Sequence, residues 1–591
     1  MPTVEGQALP TKPCLWSDNG IPEVTLKDGR TVKVRTVFDH YHDNCKDYTP
    51  EYASEVTGVD PKLIEDACLA YAQLTEYNHG SGAINYAVTH EHSGNAVKLI
   101  HTMEALDALM ANIDTPGGHR GHTRAPSVFD NQTTLLGGQF LRVGTKNRVT
   151  DAEQNARKIC SFPLQNNADG TEVFNAMATG DPYPIKAGLT QAGGMLNQTN
   201  LQLAWDGVKN LEFYTNWNLW HDPISDLADI ILPEAHWLEV ECSRVAQGCG
   251  GYYGAHIACV EMPADVKWGI DIVGEWYKAA GEPFWGDDLD HAWEMGDYLR
   301  DKAVGSLGMS WQQFRAKFLE EGWYDARTTN PDGYGSCRRY ETGWLMEPFQ
   351  GRPGFTTATS RHELWVTDWE RLMAKQNEKE AGKPYGRKYA LPYYIEPKSS
   401  PFNDGYRKNN DREDYTIENY PIILSTGRRI PVYFHAEHRQ LPWCRELWPV
   451  PRLEMNPLDA GKLGLKQGDW AWIETPFYKI RQCVDIFAGV KPGCANAEHS
   501  WWYPELNQVG HGFELSGCNC LVDAWAQCEG IGAPQLRGYL AKIYKATPEN
   551  SPFGNPIPCG NDGTEIIHDS SDPRLKEWLP LSAERHYRKG D

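Results

Sequence analysis

Residues 420–429 read "YPIILSTGRR", an apolar run that breaks on Thr-Gly-Arg-Arg. From here onward the chain changes character and turns mostly to short strands. "MNPLDAGKLGL" (455–465) holds one short helix, with Asn456 at the N-cap, Pro457 at the first helical position and a stop near Gly464. "GDWAWIET", "YKIRQCVDI" and "GCANAEHSWW" are short strands separated by Gly or Pro turns, the pattern of a small β-barrel.

Upstream, strands alternate with helices. "TVKVRTVFDHY" (31–41) is strand-like, and "YTPEYASEVTGVDPKLIEDACLAYAQ" (48–73) reads as two short helices, the second capped by Asp60 with Pro61 behind it. "GAINYAV" (82–88) reads as a buried strand, "THEHSGN" (89–95) as the loop at its end, and "AVKLIHTMEALDALMANI" (96–113) as a helix. The pattern recurs in "YPIKAGLTQAGGMLNQ" (183–198), "NLEFYTNWNLW" (210–220) and "ADIILPEAHWLEVE" (228–241). Ligands of open α/β sheets sit at such strand-end loops. The division expected is an irregular lead-in over 1–29, a doubly wound α/β domain over 30–261, an irregular α+β segment over 262–415, the barrel over 416–548 and a tail over 549–591.

At 591 residues the chain is too long for one core. Its net charge of −22 argues against a nucleic-acid partner. No apolar run approaches the ~20 residues of a membrane helix. The 15 cysteines show no CxxC spacing and read as reduced thiols. The first twenty residues lack a basic stretch followed by an apolar one, which points to a cytoplasmic setting unless an upstream segment carries an export signal. P-loop, dinucleotide GxGxxG, HExxH and GxSxG motifs are all absent.

"THEHSGN" places His90, Glu91, His92 and Asn95 within seven positions. His90 and His92, if on a strand, share a face as a metal pair requires, but no further ligand stands at a motif spacing. Three readings stay open from the residues alone: a zinc pair, a satisfied structural loop, or a polar loop that cradles a cofactor.

Taken together, the blocks resemble the molybdopterin oxidoreductases of the dimethyl sulfoxide reductase family. The resemblance rests on "LSTGRR", on "FHAEHRQLPWCRELWPVPRLEMNPLDAGKLGLKQGD", on "HSWWYPE", "GCNCL" and "RGYLAKIYKA", and in the α/β part on "GVDPKLIEDACLAYA", "MANIDTPGG", "ADIILPEAHWLE" and "GFTTATSRHELW", all in the family's order. It implies a doubly wound α/β molybdopterin-binding domain followed by a double-psi-type six-stranded β-barrel. It also implies a molybdopterin guanine dinucleotide carrying molybdenum or tungsten, and two-electron oxygen-transfer, hydroxylation or dehydroxylation chemistry. The aromatic-rich blocks resemble the branch with pyrogallol transhydroxylase, acetylene hydratase and catechol dehydroxylases, so a phenol or catechol is the implied small-molecule substrate.

Such a cofactor needs backbone amides, Asn, His and Arg around it. The residues the resemblance assigns to it are His92, Ser93, Gly94, Asn95, Gly193, Gly194 and Asn197 from the α/β part. From the barrel come Thr426, Gly427, Arg428, His435, His438, Arg439, His499, Trp501 and Asn519. His92 and His438 are the candidate proton donors. The family's cysteine cluster for a [4Fe–4S] centre and its metal-ligating residue have no counterpart here, so both are expected on a missing N-terminal portion, with an Fe–S electron-transfer subunit as a further partner. One asparagine of the family's N-x-N pair is replaced by Gly517. Two rival functions are a non-catalytic dinucleotide-binding subunit, or truncated relic, and a zinc hydrolase built on His90 and His92.

Overall fold

In a computed structural model, residues 23–119, 169–245, 252–281, 300–325 and 413–577 are described, with short gaps inside them, together with parts of 355–403. Two short strands, β1 (Glu23–Thr25) and β2 (Thr31–Lys33), form an antiparallel hairpin. The strand-like run does not continue past it. Thr36 and Asp39 form a reciprocal capping box, so Val37–Cys45 is a helix despite its β-branched and aromatic side chains. Pro50–Thr57 and Pro61–Tyr71 are the two helices expected, with Asp60 capping the second. Of the expected strand at 82–88, residues 82–86 join no ladder and 87–88 lie outside the described residues.

A parallel sheet holds β3 (Ala187–Gln191), β4 (Phe213–Asn218) and β5 (Ile230–Pro233) in that order. Side chains alternate across it. Tyr214 turns to one face, where it meets Phe174, Ala204 and Val208 of helices Gly170–Thr179 and Leu201–Lys209. Trp217 turns to the other and stacks on Trp276 of helix Gly269–Ala280. Helices on both faces of a parallel sheet make this a doubly wound unit. Three antiparallel strands, β6 (Cys242–Val245), β7 (Tyr252–His256) and β8 (Tyr324–Asp325), follow beside helix Trp311–Glu321.

The barrel is closed. Its strands are β9 (Ile422–Arg428), β10 (Arg452–Met455), β11 (Trp470–Glu474), β12 (Lys479–Ile486), β13 (Cys494–Glu498) and β14 (Arg537–Lys545), in the order β10-β12-β11-β14-β9-β13. β10 runs parallel to β12 and β13 parallel to β9, while the other pairs are antiparallel. Period-two alternation gives the wall two cores. Ala471, Ile473, Ile480, Val484, Tyr539 and Ile543 fill the inside. Trp470 and Trp472 point outward into a second cluster with Trp501, Tyr503, Leu506 and Ile566.

The segment read as a tail packs onto that outer cluster, with Ile566 and Ile567 fully buried. Arg445 clamps it. The guanidinium forks onto Glu505 at 2.8 and 2.9 Å and also donates to the Pro449 and Ile567 carbonyls. Glu505 in turn accepts from the Ile567 amide.

Candidate cofactor cleft

The turn at residues 90–95 enters helix Ala96–Leu109, and the Ser93 hydroxyl accepts from the Asn95 amide within it. The His92 carbonyl accepts from the Leu536 amide, which anchors the turn to the approach of β14. There the β9–β14 register slips at Gly538, which adopts φ +78. The Thr426 hydroxyl donates to the Leu536 carbonyl, and Arg537 donates to the Ser425 hydroxyl at 3.1 Å. Gly427 stands at φ +138, and a Cβ added there would lie 3.4 Å from the Arg537 guanidinium. The glycine therefore supplies a backbone geometry that side chains rarely adopt, and keeps the space over Arg537 open.

Between these parts lies a cleft of about 520 Å³. Asn85, Tyr86, His90, His92, Ser93 and Gly94 line one side, and Gln535, Arg537 and Gly538 the other, with Pro397 at the edge. His90 is buried, its ring edge-on to Tyr86, and its Nε2 has no hydrogen-bond partner. Tyr86 donates to Glu104 at 2.6 Å; burial, then the Glu104 carboxylate, push its hydroxyl well above the usual phenol range. A guanidinium, imidazoles, a hydroxyl and glycine backbone around one cleft are donors that suit an elongated anionic ligand. They fit a pterin dinucleotide. Among the described residues no third ligand joins His90 and His92 in a metal-holding group, so the zinc pair gains no support from geometry.

The other expected residues gather at a second place, the seam between the α/β part and the barrel. Gly194–Asn197 forms a single 3-10 turn. Asn519 donates to the Asn197 and Gln198 carbonyls at 2.9 and 3.2 Å, and the Ser500 hydroxyl bonds the Leu196 carbonyl and the Asn197 side chain. His435 Nδ1 and His499 Nε2 meet at 3.1 Å. His438 packs edge-on to Trp220; burial first, then Arg439 and His236, hold its imidazole below the usual histidine range. That shift favours the neutral ring, which keeps one N–H donor and one acceptor nitrogen. His438 is not among the residues lining the cleft with His92.

Two expected cofactor contacts turn out to be internal. Trp501 is fully buried in the outer cluster, so its ring is packing and offers no face to a ligand. Arg439 is 1% exposed and sits 4.2 Å from the Tyr433 ring centre and 4.8 Å from that of Trp501. Its two terminal nitrogens donate to the Glu437 and His499 carbonyls and brace those loops, while its buried Nε has no hydrogen-bond partner. Gly193 lies outside the described residues, and of Arg428 only the backbone, in β9, is described. His90, Gln535 and Arg537 were missed as lining residues.

Gly517 precedes Cys518–Leu521 and has no room for a side chain, because a Cβ would approach the Phe513 carbonyl oxygen to 2.7 Å and Leu201 to 3.2 Å. Gly517→Ala is expected to cost about 1–3 kcal/mol, since backbone must shift. A urea midpoint equal to that of the unmodified chain would refute this tight fit.

With this geometry in place, comparison defines the class. Residues 422–535, which run from β9 to the edge of β14, match the Molydopterin dinucleotide binding domain. The chain belongs to the molybdopterin oxidoreductases of the dimethyl sulfoxide reductase family. It is 39% identical over 611 residues to dopamine dehydroxylase of Eggerthella lenta, an alignment covering 94% of this chain and 58% of that protein. It is 23% identical over 536 residues to acetylene hydratase of Syntrophotalea acetylenica, covering 86% and 66%. The solved acetylene hydratase from Pelobacter acetylenicus shares the fold, with a TM-score of 0.65 at 23% identity over 86% of this chain and 66% of that one. The chain thus spans little more than half the length of the dehydroxylase.

Proposed function

We propose that this chain is the dinucleotide-holding part of a molybdenum- or tungsten-pterin enzyme that removes or exchanges a hydroxyl group on a small phenol or catechol. The observation that carries the reading is the 39% identity, across 94% of the chain, to a protein named for dehydroxylating dopamine. The bound cofactor supplies two-electron exchange at its metal. The chain's own residues bind and orient it. Arg537 offers a fork of N–H donors to a phosphate, and Gly427 leaves the space above that fork open. His90 offers a buried ring nitrogen without a hydrogen-bond partner, 3.7 Å from the Glu91 carboxylate, and the turn 90–95 sets His92, Ser93 and Gly94 along the same wall. In this reading the metal-ligating side chain and a [4Fe–4S] centre come from sequence beyond these residues, since no CxxC occurs in them. An Fe–S electron-transfer subunit is the matching partner.

The test is to purify the assembled protein under anaerobic conditions, measure metal and acid-released guanine nucleotide, and assay a panel of catechols with a reduced dye. Molybdenum or tungsten in fixed ratio to guanine nucleotide, with loss of a ring hydroxyl, is the expected result. Intact catechols from a metal-loaded preparation would sink the substrate assignment. Absence of guanine nucleotide would sink the cofactor assignment.

A further inference from the structure

Away from the cleft, the loop after β4 and the short 3-10 turn Pro223–Leu227 meet the loop after β13. His221 and Asp226 come from the first side and His511 from the second. His221 Nδ1 lies 3.9 Å from Asp226 Oδ1, and His511 Nε2 lies 3.4 Å from Asp226 Oδ2. One ligand atom of each residue falls within 4.8 Å of the other two. We propose that His221, Asp226 and His511 form a site for a borderline divalent cation of the zinc class, which clips the α/β part to the barrel.

The distances suit it. A tetrahedral ion with ligands at about 2.0–2.1 Å sets them roughly 3.4 Å apart, so groups that lie within 4.8 Å of one another need to close by about 1.4 Å at most, within reach of side-chain rotation. Two imidazoles and one carboxylate are the donor set that zinc accepts with a fourth position left open. His221 is half exposed and stands at that open side.

Local structure prepares His511 for this role. Gly510, His511 and Gly512 all lie at positive φ, and a Cβ on Gly510 or Gly512 would come within 2.9 Å of Trp205 or 2.8 Å of Leu506. The turn therefore needs glycine on both sides of the histidine. His511 Nδ1 bonds the Leu506 carbonyl at 2.8 Å; a carbonyl only accepts, so Nδ1 carries the proton and Nε2 is the nitrogen turned toward Asp226. That is the orienting contact metal-ligating histidines use. The Gly510 amide holds Asp226 Oδ2 at 2.8 Å.

A plain His511–Asp226 ion pair is the competing account. It leaves His221 only an edge-on ring contact with His511 and a 3.9 Å approach to Asp226. Among the described residues the other cluster of this kind, Glu104, Asp107 and His119, is already committed, because Tyr86 and Tyr71 donate to its carboxylates.

The full chain, stripped with a chelator, is titrated with Zn²⁺ against a chromophoric competitor and with Co²⁺ while recording visible absorption. One tight site is expected, with Co²⁺ bands typical of four nitrogen and oxygen ligands and no intense thiolate band. His221→Ala, at a half-exposed position where folding is not at stake, should weaken Zn²⁺ by about 100-fold or more and abolish the Co²⁺ bands. His511→Gln should do the same, and His119→Gln should leave both unchanged. Unchanged Zn²⁺ affinity in His221→Ala, or loss in His119→Gln alone, would overturn the proposal.

Discussion

Glu505→Ala is expected to destabilise the barrel by about 3–5 kcal/mol, because it strands the Arg445 guanidinium as a buried charge without its counter-ion. Arg445 and Glu505 are 0% and 5% exposed at their side chains, so water cannot replace the lost carboxylate. The same substitution frees the Ile567 amide, which donates to Glu505 at 2.7 Å, and loosens the segment packed over the outer cluster. Replacing both partners, Arg445→Met with Glu505→Leu, should recover part of the loss, since the double change removes the charges together with their desolvation. Chemical unfolding followed by tryptophan fluorescence reads this, as Trp470, Trp472 and Trp501 all sit in that cluster. A loss below about 1 kcal/mol for Glu505→Ala would mean that the pair is solvated and the clamp unimportant.

Arg537→Ala is the substitution expected to strike the proposed cofactor hardest. One charge-assisted contact is worth about 1.5–3 kcal/mol, so dinucleotide retention should fall roughly 10- to 150-fold. Arg537→Lys should recover little of it, because an ammonium lacks the planar fork. The measurement is guanine nucleotide per protein after exhaustive dialysis of the assembled enzyme. Stability is the control, since Arg537 also donates to the Ser425 hydroxyl at 3.1 Å and its loss there should cost only about 1 kcal/mol. Full nucleotide content in Arg537→Ala would move the phosphate site away from this cleft.

The barrel was legible in the sequence because its strands are short and separated by Gly and Pro turns. Asn456, Pro457 and Gly464 likewise act through local geometry, with Asn456 bonding the Leu458 amide and Gly464 at φ +67. Val37–Cys45 was misread because side-chain β preference was weighed against a capping box that only Thr36 and Asp39 reveal. The cleft was half legible. "THEHSGN" announced itself by composition, but Gln535 and Arg537 reach the same cleft through a register slip at Gly538 that no local pattern encodes. Trp501 and Arg439 were assigned to the ligand because an aromatic and an arginine near a polar loop look alike whether they face a cofactor or a core. Only burial separates the two cases, and burial is a property of the whole fold.

Among the described residues, three buried arginines of the barrel reach main-chain carbonyls: Arg439 on residues 437 and 499, Arg445 on 449 and 567, and Arg481 on 555 and 556. A carbonyl is present whatever side chain the residue bears. Apart from the Arg445 fork onto Glu505, these contacts are therefore blind to the identity of the residues they hold. The loops around the barrel can change their outward chemistry, one substitution at a time, without being cast loose from the scaffold. A lineage can in this way explore new substrates while keeping a single frame.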